Sequence, residues 1–81
     1  MKWYDCFGRV IALGDDVIIC VNNKLYSGIV HQFDNDVLEL SYITWDDDLR
    51  IEKVIRKRIK YPRGFEGIHG RLRNIYILER K

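Results

Sequence analysis

The 81-residue sequence holds 14 Lys/Arg against 12 Asp/Glu, and none of its apolar stretches approaches the roughly 18 residues of a membrane span. Those numbers exclude a membrane-spanning helix and leave room for a single domain over 1–81. A chain this short buries only about 60–65% of its unfolded surface, so a disulfide, a metal or a partner chain normally supplements the core. No apolar leader precedes the first charged residues, and Cys6 and Cys20 read as two reduced thiols of a cytoplasmic protein. Self-association into a homo-oligomer, a dimer in the simplest case, is the expected supplement.

The net charge of +2 hides an uneven distribution. Up to Leu49, three basic residues (Lys2, Arg9, Lys24) face nine acidic ones; from Arg50 onward, eleven basic residues face three acidic ones. Such asymmetry fits a polyanionic partner for the basic half, or opposite patches that pair with each other. It also fits a fold that interleaves the halves and neutralises them internally.

In chain order, Val17 to Val21 is an apolar, mostly β-branched run that predicts a strand buried on both faces. Asn22-Asn23 follows, a pair that tolerates the positive φ of a tight hairpin. Leu25 to His31 predicts the next strand, with Gly28 marking a bulge or a barrel corner. Asp34-Asn35-Asp36 is a second turn. Val37 to Trp45 predicts a long strand with Leu38, Leu40 and Tyr42 on one face and Val37, Ile43 and Trp45 on the other.

From Trp45 to Tyr61 two readings compete. The odd positions alternate as a strand would, with Asp46-Asp47-Asp48 as the hairpin tip. A helix over 45–60 would instead place those aspartates at its positive end and Arg56-Lys57-Arg58 at its negative end. The apolar residues spread too widely around a helical wheel, so the strand is expected. Pro62, Gly64, Gly67 and Gly70 predict an extended connection, and Arg71 to Leu78 a final strand. The whole predicts an all-β domain, a small barrel of five or six strands, with an α+β fold as the alternative.

Asp5-Cys6-Phe7-Gly8-Arg9-Val10-Ile11-Ala12-Leu13-Gly14-Asp15-Asp16-Val17, with Leu25-Tyr26-Ser27-Gly28-Ile29-Val30, resembles small bacteriophage-encoded barrels of the Src-homology-3-like type. The Gly-Asp turn also looks like the opening of KOW-type barrels. The resemblance implies a phage origin and a compact barrel, in proteins that modulate the host in varied ways. A weaker likeness is to the Sm-like fold, over Val21 to Val30 with Phe33-Asp34 and over Ile68-His69-Gly70 ahead of Ile75-Tyr76-Ile77-Leu78. Leu38 stands where that family has its RNA-contacting asparagine, and His69 where it has an arginine.

The segment from Pro62 to Arg73 combines glycines with Arg63, Arg71 and Arg73, which suit bidentate phosphate contacts, and with His69. Tyr61 and Phe65 offer faces on which a base could stack. Arg56, Arg58 and Lys60 would share one face of a strand, a stripe about 13 Å long that could track a phosphate backbone. The aspartate triplet lacks the spacing of a calcium loop, and His31 and His69 have no partners at zinc-ligand spacing, so no metal or other cofactor is expected. No nucleophile or acid–base constellation can be assembled, which argues against an enzyme. The expected function is non-enzymatic binding of nucleic acid or a phosphate-bearing nucleotide, including sequestration of an immune signal. The alternative is a phage inhibitor that contacts a host defence protein.

Overall fold

Asn22 and Asn23 take φ values of 50° and 63°, and the tight hairpin they close joins the first two strands of a continuous antiparallel sheet. The computed structural model describes residues 2–61 and 70–78. Its strands are β1 (Asp16–Val21), β2 (Lys24–Phe33), β3 (Val37–Asp46), β4 (Ile51–Lys60) and β5 (Ile75–Ile77). They lie in the order β4-β3-β2-β1-β5. The domain is all-β, and 51–60 is strand throughout rather than helix. Among the described residues no helix is long and apolar enough to cross a membrane.

Alternation places one face of each strand inward. Val17 and Ile19 of β1, Val30 of β2, Leu38, Leu40 and Tyr42 of β3, and Ile75 and Ile77 of β5 form one buried cluster with Trp3, Ile11 and Leu72. Ile59 of β4 and Tyr61 pack against it, half-buried. β1 is therefore buried on one face only: Ile18 and Cys20, on its other side, stay partly exposed.

β2 is shared between two ladders. Its first half pairs with β1 and its second half with β3, and Gly28 belongs to both ladders, opposite Val17 and Tyr42. A Cβ built on Gly28 would lie 2.5 Å from the Ser41 carbonyl oxygen, which is backbone and cannot swing away. Gly28→Ala is expected to cost roughly 1–3 kcal/mol through the shift this forces, read as a lower thermal midpoint. The register shift comes later, between Val30 and Gln32, so the bulge sits at His31 and not at Gly28.

The aspartate turns are built from side-chain acceptors. Asp34 Oδ1 accepts the Asp36 and Val37 N–H groups, and Asp46 Oδ1 those of Asp48 and Leu49. These N–H donors hold the Asp34 carboxyl below its ordinary range. For Asp46 the Leu49 N–H and then Lys53 do the same.

The first residues clasp the sheet. Trp3 is fully buried, with its ring edge-on to Tyr61 at 5.0 Å and its Nε1–H donating to the Asp34 carbonyl at 2.7 Å. Asp5 is buried as well. Its carboxylate accepts the N–H groups of Phe7, Arg9 and Ile77 at 2.9–3.1 Å and pairs with the Arg9 guanidinium at 2.8 Å. Arg9 in turn donates to the Ile77 carbonyl and stands over the Tyr76 ring, 4.7 Å from its centre. The spacing that resembled a barrel opening is thus a structural lock: Gly8, at φ 80°, lets the chain wrap round the Asp5 carboxylate.

One expected element is corrected. The final strand is Ile75–Ile77 and does not reach back to Arg71. Arg71 forms an isolated bridge to Tyr4, and residues 73 and 74 turn into β5, so Arg71 and Arg73 do not share a strand face.

Candidate nucleic-acid interface

Cross-strand register decides which β4 side chains stand together. Ile51, Lys53, Ile55, Lys57 and Ile59 lie on the inner-face side, opposite Asp46, Thr44, Tyr42, Leu40 and Leu38. Glu52, Val54, Arg56, Arg58 and Lys60 lie on the outer face, opposite Trp45, Ile43, Ser41, Glu39 and Val37. The predicted stripe of Arg56, Arg58 and Lys60 is therefore assembled on one face.

Part of its charge is answered locally. Arg58 Nε lies 3.1 Å from Glu39 Oε1, while Glu39 Oε2 accepts the Gln32 side-chain amide at 2.7 Å. Lys53 pairs with Asp46 at 2.9 Å. The acidic and basic halves thus interleave across the β3–β4 hairpin. Among the described residues, Arg56, Lys57 and Lys60 make no ion pair and remain as local positive excess.

His31 joins this group. The β2 bulge turns it toward β3, where its Nε2 shares a 2.7 Å hydrogen bond with the buried Ser41 hydroxyl. His31, Glu39, Leu40, Arg56, Lys57 and Arg58 line a depression of about 110 Å³. Asp36, Val37, Lys60 and Tyr61 line a shallower hollow of about 270 Å³ at the other end of the stripe. Neither reaches the roughly 300 Å³ at which small-molecule pockets begin. Each can seat an anionic group and neither can enclose a nucleotide. His31 was not expected in the site; two consecutive polar residues, His31-Gln32, between Val30 and Phe33 were the available sign of a bulge.

The predicted cluster around Arg71 starts close to the end of β4, since Gly70 packs on Tyr61, but its arginines are used differently. The Arg71 guanidinium is committed to the Cys6 carbonyl, with Nε at 3.1 Å and a terminal nitrogen at 2.6 Å. Arg73 is exposed. Tyr61, predicted to stack a base, instead packs against Trp3. Arg63, Phe65 and His69 lie outside the described residues. No three His, Cys, Asp or Glu side chains among the described residues converge on a point that would hold a metal.

Comparison with known protein families, curated proteins and solved structures finds no match. The functional reading therefore rests on the residues alone.

Proposed function

We propose that the protein is a non-enzymatic nucleic-acid-binding module, with the outer face of β4 as its phosphate track. The observation that carries this reading is the alignment of Arg56, Arg58 and Lys60 on one face of a ten-residue strand, with His31 beside them. Side chains two apart on a strand recur at about 6.6 Å, close to the spacing of phosphates along an extended single strand. The small hollows favour a backbone over an enclosed nucleotide. The arginine forks suit phosphate oxygens, and the local positive excess favours association.

Fluorescence anisotropy with labelled single-stranded DNA, single-stranded RNA and duplex, across a salt series, tests the proposal. Replacing Arg56, Arg58 and Lys60 together with alanine is expected to lower affinity at least tenfold. It should also flatten the slope of log K against log salt by about 2 on a single strand, because each phosphate neutralised by a cation contributes about 0.7. Unchanged affinity and slope in a triple variant with an intact circular-dichroism spectrum overturn the reading.

One observation favours a second reading, inhibition of a host protein by surface contact. β3 pairs with β2 only as far as Tyr42, so the four outer pairs of the β3–β4 hairpin project as an arm. On that arm Ile43, Trp45, Leu49, Ile51 and Val54 are 44–65% exposed. Retained host binding by the triple alanine variant is the result this reading expects. The phage origin implied by the resemblance, and the cytoplasmic setting expected from the two thiols, belong with both proposals.

A further inference from the structure

The two edges of the sheet differ. The β5 edge is three residues long; the β4 edge runs for ten, with no register shift along its ladder to β3 and no strand beside it among the described residues. Long regular edges are templates for pairing unless charge, proline or a bulge blocks them. From Arg56 to Lys60 the basic side chains provide that block. From Ile51 to Ile55 they do not: Ile51, Val54 and Ile55 are 50%, 65% and 37% exposed.

The hydrogen-bond phase says which backbone groups are on offer. Tyr61 N–H donates to the Asp36 carbonyl, continuing the β3–β4 ladder in register. Inter-strand bonds recur at every second residue of an antiparallel strand. Ile51, Lys53, Ile55, Lys57 and Ile59 therefore bond to β3, and Glu52, Val54, Arg56, Arg58 and Lys60 point their N–H and C=O groups outward.

Side-chain charge then selects the occupant and the register. Antiparallel pairing of two identical strands places some residue opposite itself. Centring on Lys53 sets two lysines face to face; centring on Ile55 sets each Lys53 against the partner's Lys57. Centring on Val54 sets Val54 against the partner's Val54 and each Glu52 against the partner's Arg56, so that two opposite-charge pairs flank an apolar centre. Ile43 lies beside Val54 on the outer face of each copy, which extends the apolar row to four residues across the seam.

We propose that this chain docks on a second copy of itself, β4 against β4, antiparallel, with Val54 opposite the partner's Val54, making one sheet of ten strands. The pairing does not depend on the nucleic-acid reading. A guanidinium has five donors, so Arg56 can meet the partner's Glu52 and still present N–H groups to a phosphate.

Light scattering on the nucleic-acid-free protein, at about 50 µM because association follows mass action, is expected to give twice the chain mass. Val54→Pro deletes an outward N–H and leaves the β3 ladder intact. It should raise the dissociation constant roughly a hundredfold, since each partner carbonyl then loses a sheltered donor. Glu52→Arg is expected to give monomers, and Glu52→Arg with Arg56→Glu to restore the dimer. Should Val54→Pro fail to fold, the two charge variants decide alone. A monomeric wild-type protein, a dimer that persists in Glu52→Arg, or a double swap that stays monomeric overturns the proposal.

Discussion

Asp5→Ala is expected to remove roughly 3–5 kcal/mol of stability, because the buried Ile77 N–H and the Phe7 and Arg9 N–H groups lose their acceptor, at roughly 1–3 kcal/mol for each one left unsatisfied. A domain of this size has only about 4–12 kcal/mol in total, so the variant should be largely unfolded in mild urea. The loss is large because the carboxylate is the acceptor for the buried Ile77 N–H and also gathers the partly exposed Phe7 and Arg9 N–H groups and the Arg9 guanidinium. Asp5→Asn keeps the shape but halves the acceptor capacity, and it should fall between the wild type and alanine. A urea titration with an unchanged midpoint in Asp5→Ala would refute the role given to this residue.

The same carboxylate makes the fold acid-sensitive. Burial alone would push Asp5 up, but the Ile77, Arg9 and Phe7 hydrogen bonds outweigh it and hold the group below its ordinary value of 3.8. A carboxylate depressed in the folded state stabilises it above the unfolded value, and that contribution is lost as pH falls through the folded value. Asp34 and Asp46 are depressed in the same direction. Stability should hold from neutral pH down to about 4 and decline below it, with a shallower decline in Asp5→Asn. A stability profile flat from pH 5 to pH 2 would contradict this linkage.

The second large effect is at Trp3. Trp3→Ala should cost about 3–5 kcal/mol, because it opens a cavity at the centre of the core and strips Tyr61 of its edge-on partner. It also leaves the Asp34 carbonyl without its indole donor, in the turn that leads into β3. Trp3→Phe retains an aromatic ring without the N–H and should cost less than half as much. Intrinsic fluorescence separates the two tryptophans: Trp3 should emit from an apolar, water-free site, whereas Trp45 is 60% exposed. Urea midpoints of Trp3→Ala and Trp3→Phe that coincide would show that the ring itself contributes nothing.

Local signals made the sheet legible. Alternation from Val37 to Trp45 assigns Leu38, Leu40 and Tyr42 to the core, where all three are buried. Asn22-Asn23 and the three aspartates form the turns their chemistry implies. Positions 45–60 were harder to read because Ile51, Val54 and Ile55 are apolar without being buried, so no core-facing period distinguishes strand from helix there. The site was half legible. Arg56, Arg58 and Lys60 share a face because strand geometry alone requires it. Arg71 and Arg73 looked equivalent to them, yet the bond from Arg71 to Cys6 spans 65 residues and leaves no trace in the neighbouring letters. The role of Asp5 was hidden for the same reason, since its most distant donor, Ile77, is 72 residues away.

That last separation governs how the fold assembles. During synthesis the β1–β2, β2–β3 and β3–β4 hairpins can each zip up from a local turn as they emerge. Asp5, Cys6 and Tyr4 wait for Ile77, Ile75 and Leu72, which are made only after β4. Until then the chain is a ribbon of hairpins with Val17 and Ile19 open to water, its weakest moment for misassociation. Closure is thus a single late event that joins the two ends of the described chain.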